Sequence, residues 1–192
     1  MPKKPRREFF RVCAVQMSSR SVNARNLLEA RRWFEKGVAE GAQWVAFPEN
    51  FSVLTRDRKQ FLAAAEPSDG PTLELLCSWA KEKAVWILAG SLPIQDAAAP
   101  SEDKRVTNSS FLIAPTGKTV ARYDKIHLFD VDLSADRVYR ESRDVRPGGA
   151  PQVAPMPYGK LGLSICYDLR FPELYRKLSA EGALVISIPS SF

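Results

Sequence analysis

The sequence predicts an α/β layered sandwich with substantial parallel pairing, on three observations. Short apolar runs alternate with amphipathic helical stretches, the pattern of strands joined through packed helices. Turn signals at Pro115-Thr116-Gly117 and Tyr158-Gly159 add two β-hairpins to that alternation. The length of 192 residues, with 45% hydrophobic and 26% charged, suffices for one domain with a substantial core.

Each element has its own justification. Residues 9–17, FFRVCAVQM, are dense in β-formers and read as a first strand. SVNARNLLEARRWFEKGVAEGA follows as a helix, with Leu27, Phe34 and Val38 gathered near one face beside Ala30 and Trp33, and Gly41 at its C-terminal stop. QWVAFPEN, 43–50, is a short apolar strand cut off by Pro48. GPTLELLCSWAKEKA is a helix with Pro71 near its start, and VWILAGSLPI is a third buried strand. The first hairpin lies in TNSSFLIAPTGKTVARYDK. A long charged segment runs from Ile126 to about Ala150 and ends in Arg146-Pro147-Gly148-Gly149; a loop of that length in a compact domain is functional or mobile. PQVAPMPYGKLGLSIC forms the second hairpin, FPELYRKLSAEGA a helix and LVISIPS a last strand. The order is therefore β-α-β-(α)-α-β, a hairpin, a long loop, a second hairpin, then α-β.

Charge and composition exclude several classes. The net charge of +6 suggests nucleic acid until it is located: Lys3, Lys4, Arg6 and Arg7 lie in the opening MPKKPRRE, read as a disordered tail over 1–8. The surplus left on residues 9–192 is too small for a basic groove. No apolar run has the length of a membrane span. Three cysteines, Cys13, Cys77 and Cys166, cannot pair evenly and show no CxxC spacing, which favours a reducing, cytoplasmic setting. A metal site has no support, since the chain has one histidine and no cluster at ligand spacing; no glycine-rich nucleotide motif is present.

Chemistry in α/β folds sits at strand ends. Three polar residues occupy such places: Glu49 after WVAFP, Lys125 after the first hairpin, and Cys166 after LGLSI. A thiol becomes a useful nucleophile only with a base or a positive field beside it. His127 is one possible partner, although it could equally orient the loop through a hydrogen bond. Glu49 and Lys125 are the other assistants: a carboxylate takes the thiol proton and later returns it to a leaving amine. The lysine ammonium stabilises thiolate and oxyanion, with the Tyr167 N–H as a second oxyanion donor. Around them, Arg170 and Glu173 read as an ion pair bracing the turn, Asp168 as a cap of the turn into the following helix, and Tyr167 and Phe51 as pocket-lining or core aromatics. Cys13 and Cys77 read as buried thiols.

FPEN around Glu49, YDKIHLFDVD around Lys125 and GLSICYDLRFPEL around Cys166 resemble the three signature segments of the nitrilase superfamily, the carbon–nitrogen hydrolases. RVCAVQM and RPGG resemble it too, and the match to its Nit-type amidase branch extends from about Glu8 onward. The resemblance implies a four-layer-forming αββα sandwich over 9–192, two of which form an αββα-αββα block on dimerisation. It gives Glu49 the role of general base, Lys125 that of transition-state stabiliser and Cys166 that of nucleophile. It likens Glu141, in YRESRDVRPGG, to a second, substrate-positioning glutamate. It further implies hydrolysis of a small linear amide, an ω-amide of a 2-oxo acid or deaminated glutathione, rather than a nitrile. No cofactor, nucleic acid or membrane is implied, and a homodimer or higher homo-oligomer is. Chains of this family continue past VISIPSSF, so the domain reads as missing its C-terminal part. The alternatives are an isochorismatase-like cysteine hydrolase, which requires a fully parallel sheet, and an inert nitrilase-like scaffold.

Overall fold

The computed structural model describes residues 9–95, 102–134 and 137–191; the basic stretch 1–8 lies outside them. The chain runs β1 (Val12–Ala14), α1 (Asn23–Ala39), β2 (Trp44–Ala46), α2 (Arg58–Ala63), β3 (Glu66–Pro67), α3 (Pro71–Lys83) and β4 (Trp86–Gln95). It continues through β5 (Thr107–Ile113), β6 (Thr119–Asp124), β7 (Asp130–Ser134), β8 (Arg137–Arg140), β9 (Gln152–Met156), β10 (Gly159–Leu163), α4 (Pro172–Ala180) and β11 (Ala183–Ser187).

One sheet has the order β1-β2-β4-β5-β6, with β3 paired to the far end of β4; another has β11-β10-β9. β1, β2 and β4 are parallel, as are β10 and β11. The pairs β4–β5, β5–β6 and β9–β10 are antiparallel, which excludes the fully parallel sheet of an isochorismatase-like fold.

Period-two alternation decides what each face meets. Val45, Ile87, Ala89, Phe111 and Ile113 turn one way and pack with Ala30 and Phe34 of α1 and Leu73, Leu76, Trp79 and Ala80 of α3. Their neighbours Trp44, Leu88, Leu112 and Tyr123 turn the other way, onto Ala154, Leu161, Leu163 and Ile165 around the second sheet. Leu174 and Leu178 of α4 are buried, and Leu178 lies over Gly162 on that sheet's outer side. The layers are therefore helix, sheet, sheet, helix: the αββα arrangement. Fully buried side chains such as Phe34 and Leu76 each contribute about 1.5–3 kcal/mol.

Two elements differ from the expectation. The first strand is confined to Val12–Ala14, because its one sheet partner, β2, ends where Pro48 interrupts the ladder. The segment 126–150 is built rather than irregular: β7 and β8 form a small antiparallel hairpin, followed by a 3-10 turn at Glu141–Arg143. β8 is exposed along its length and β7 nearly so, so no buried face imposed a readable alternation on the sequence. The segment is tied down by a Val106–Val145 bridge and by Arg146 N–H donating to Val106 O at 2.7 Å. Among the described residues, no helix is long and apolar enough to cross a membrane.

Candidate active site

Glu49 reaches the site through a backbone crossing that only glycine permits. The Phe47–Pro48 segment lies directly on β4 at Gly90, where an added Cβ would fall 1.7 Å from the Phe47 carbonyl oxygen. Asn50 then adopts φ 51°, a left-handed conformation that asparagine tolerates, with its N–H donating to Ser91 Oγ at 2.9 Å. The turn leaves the Glu49 side chain 4% exposed at the end of β2. Lys125, at the end of β6 and 2% exposed, donates from Nζ to Glu49 Oε1 at 3.1 Å.

Glu141 completes the carboxylate pair. Its Oε2 accepts from Lys125 Nζ at 2.8 Å and from the Phe129 N–H at 2.6 Å, and its Oε1 lies 3.1 Å from the same ammonium. Asn108 on β5 bridges the two carboxylates, its Nδ2 donating to Glu49 Oε1 at 3.0 Å and to Glu141 Oε1 at 3.4 Å. The loop that carries Glu141 returns across the backbone of the lysine. Gly148 N–H donates to Lys125 O at 2.9 Å, and a Cβ there would fall 2.1 Å from Asp124 O.

Cys166 stands beyond β10 at φ 46°, the first residue of a 3-10 turn over Cys166–Arg170. For a residue with a Cβ this left-handed geometry is strained and persists only where its surroundings hold it. Cys166 N–H donates to Pro189 O at 2.9 Å, which ties the turn to the segment after β11. Asp168, fully buried, ties it to β6: Oδ2 accepts from Tyr123 OH at 2.7 Å and Ile165 N–H at 2.9 Å. Its Oδ1 takes the His127 N–H at 3.1 Å and His127 Nδ1 at 2.7 Å. One carboxylate thus joins the cysteine turn to both sides of Lys125 in sequence. The Tyr167 N–H, at the start of the turn, has no partner within it.

Charge follows from this packing. Burial would pull the Lys125 ammonium down, but Glu49 and Glu141 outweigh it and hold its pKa above the ordinary lysine value. The Cys166 thiol is pushed up to about 11, first by burial and then by the Glu49 charge and hydrogen bond; Lys125 and the Ser191 N–H pull the other way. Burial and the adjacent Glu49 together outweigh the Lys125 ammonium, so the resting group at neutral pH is the thiol. Burial and the Asp168 charge push the Tyr123 phenol far up, which keeps it a hydrogen-bond donor.

The structure brings Glu49, Lys125, Glu141 and Cys166 together and redistributes the other candidates. His127 is taken up by Asp168 and stacks on Phe171 at 3.7 Å between ring centroids, so it orients the loop. Asp168 caps the cysteine turn, which leads into α4, by accepting from Ile165 N–H. Arg170 and Glu173 do not form the expected pair; Glu173 sits one helical turn from Arg176 and binds it at 2.6 Å. Phe51 is core, stacked on Phe47 at 4.8 Å, whereas half-buried Tyr167 stands edge-on to Phe129 and Phe171. Cys13 and Cys77 are partly rather than fully buried, since both sit at the margin of the helix-facing core. Two contributors, Asn108 and Ser191, carry no sequence signal of their own. The Ser191 N–H and Oγ both donate to Glu49 Oε2 at 3.0 Å.

Comparison with known proteins decides the lineage. The carbon-nitrogen hydrolase profile matches residues 11–191. This chain belongs to the carbon-nitrogen hydrolase family. Among relatives of this carbon-nitrogen hydrolase chain, the deaminated glutathione amidase of Synechocystis sp. is 40% identical over 185 residues, covering 95% of this chain and 66% of that protein. The omega-amidase of Homo sapiens is 31% identical over 183 residues, covering 95% and 64%. The crystal structure of Saccharomyces cerevisiae Nit3, a member of branch 10 of the nitrilase superfamily, superposes with a TM-score of 0.80 at 28% identity, covering 95% of this chain and 65% of that one. The chain thus spans just under two thirds of the length of these relatives.

Proposed function

We propose that this chain carries the active site of an amidase that hydrolyses a small linear amide to a carboxylate and ammonia. The observation that carries the reading is one buried Lys125 held between Glu49 and Glu141 beside a thiol presented on a strained turn. In the proposed cycle Cys166 Sγ attacks the amide carbonyl while Glu49 accepts the S–H proton. A thiol pushed up to about 11 requires that base during attack. The oxyanion is held by the Lys125 ammonium and the Tyr167 N–H. Collapse breaks the C–N bond as Glu49 returns its proton to the departing nitrogen, releasing ammonia and leaving a thioester. Water, deprotonated by Glu49, then frees the carboxylic acid and restores the thiol. Glu141 fixes Lys125 and, through Phe129 N–H, the wall beside it.

The substrate class follows the relatives named deaminated glutathione amidase and omega-amidase: an ω-amide of a 2-oxo acid or deaminated glutathione. Intact Glu49, Lys125 and Cys166, with Glu49 hydrogen-bonded to both the lysine and the thiol, speak against an inert scaffold. Residues 9–192 are assigned to this one catalytic domain and 1–8 to a tail. The proposal extends to a homodimer or larger homo-oligomer in the cytoplasm, a setting that suits three free thiols.

The test is incubation of the protein with a panel of short amides, followed by ammonia assay and mass spectrometry of the Cys166 peptide. Ammonia release, a thioester mass increment and the loss of both in Cys166→Ala are expected. Neither ammonia nor an acyl adduct from any amide, with Cys166→Ala indistinguishable, would refute the assignment.

A further inference from the structure

Glu49 is held by more donors than its pairing with Lys125 requires. Oε1 accepts from Lys125 Nζ at 3.1 Å and from Asn108 Nδ2 at 3.0 Å, while Oε2 accepts from both the N–H and the hydroxyl of Ser191 at 3.0 Å. These four donors fill the roughly four lone-pair sites of a carboxylate, and the Cys166 thiol hydrogen-bonds to Glu49 as well, so one donor must give way when Glu49 takes the thiol proton. Three of the donors cannot yield. Lys125 is charged and pinned by Glu141, Asn108 bridges both carboxylates, and the Ser191 N–H belongs to the backbone. The Ser191 hydroxyl alone can turn its hydrogen away by rotation about Cβ–Oγ, and it can accept as well as donate. The same segment also contacts the nucleophile, through Pro189 O at Cys166 N–H and the Ser191 N–H at the sulfur.

We propose that Ser191 is a positioning residue that sets the basicity of Glu49: its hydroxyl donates to Oε2 while Glu49 is ionised and turns to accept from Oε2–H when the thiol proton arrives. In that step the S–H bond breaks, the Oε2–H bond forms, and the Ser191 hydroxyl exchanges donor for acceptor with no other group moving. The inference rests on the reading of Glu49 as general base. Its consequence has a definite sign. Donating to the charged form lowers the pKa of an acid and accepting from the neutral form raises it; the charge-assisted bond is about twice as strong, so removing the hydroxyl raises the pH at which Glu49 becomes available.

The test is the rate of iodoacetamide alkylation of Cys166, followed by peptide mass spectrometry across pH, in the wild-type chain, Ser191→Ala, Ser191→Thr and Glu49→Gln. Alkylation needs no substrate turnover. In Ser191→Ala the low-pH limb is expected to move up by about one pH unit, the shift that corresponds to losing a hydrogen bond to a charged group offset by the weaker bond to the neutral one. Ser191→Thr, which keeps the hydroxyl, is expected to restore the limb, and Glu49→Gln to abolish it, leaving only the rise at alkaline pH that follows ionisation of the thiol itself. If the limb disappears in Glu49→Gln yet keeps its midpoint in Ser191→Ala, the role of Ser191 is overturned while the general base stands. A uniform drop in rate in both Ser191 variants without movement of the limb overturns it equally, because that is what a purely structural role produces. A low-pH limb that keeps its wild-type midpoint in Glu49→Gln removes Glu49 as the base, and this proposal falls with it.

Discussion

Replacing Asp168 with alanine is expected to cost far more than its distance from any substrate suggests. The carboxylate is fully buried and accepts four hydrogen bonds, from Tyr123 OH, Ile165 N–H, His127 N–H and His127 Nδ1. The His127 side chain is 25% exposed, so its ring nitrogen regains water after truncation. Tyr123 is wholly buried and Ile165 lies in the interface between the sheets, so their donors do not. Two buried donors left without acceptors, at about 1–3 kcal/mol each, set a loss of about 2–6 kcal/mol. Asp168→Asn tests the logic more sharply, because it keeps the volume. Each Asp168 oxygen carries one backbone N–H, Ile165 on Oδ2 and His127 on Oδ1, so the amide nitrogen opposes a fixed donor in either orientation. Asparagine is therefore expected to recover no more than about half of the alanine loss. The assay is urea unfolding followed by tryptophan fluorescence. With m of about 2 kcal/mol/M, the alanine midpoint should fall by about 1–3 M. Wild-type stability in Asp168→Asn, or a loss below about 0.5 kcal/mol in Asp168→Ala, the range of a surface change, would refute the account.

The remaining expectations concern the triad and its approach. Glu49→Gln removes the negative charge that, after burial, does most to raise the Cys166 thiol, so the thiol should titrate below about 11 by thiolate absorbance. Ammonia release should nonetheless fall by about 10²–10⁴-fold for want of a base. A thiol that titrates unchanged or higher would contradict the electrostatic argument. Gly148→Ala is expected to cost about 1–3 kcal/mol and to reduce activity, since its Cβ meets the Asp124 backbone beside Lys125. The neighbouring Gly149→Ala, with no atom within 4 Å of the added carbon, is expected to be close to neutral in the same thermal melts.

Much of this protein was legible in its order of residues, because periodicity and turn chemistry act over short distances. Val45, Ile87 and Phe111 alternate with Trp44, Leu88 and Leu112 because a strand buried on both sides needs apolar groups on both, and that requirement is visible in the runs WVAF, VWILAG and SSFLI. The three segments around Glu49, Lys125 and Cys166 were readable for a related reason: Pro48, the hairpin turn and the strand end each mark a place where a polar side chain leaves a sheet. The β7–β8 hairpin was not readable, since exposed strands carry no obligatory alternation. Nor could spacing along the chain show that Asp168 serves Ile165, Tyr123 and His127 at once, or that Arg176 rather than Arg170 meets Glu173. Local pattern determined the elements and delivered three polar groups to strand ends. Tertiary packing alone decided that Glu141 closes on Lys125 across the Gly148 crossing and that Ser191, 142 residues from Glu49, completes its hydrogen bonding. Burial is the physical reason: a charged group taken out of water needs every partner the fold can bring to it, and only folding brings partners from that far along the chain.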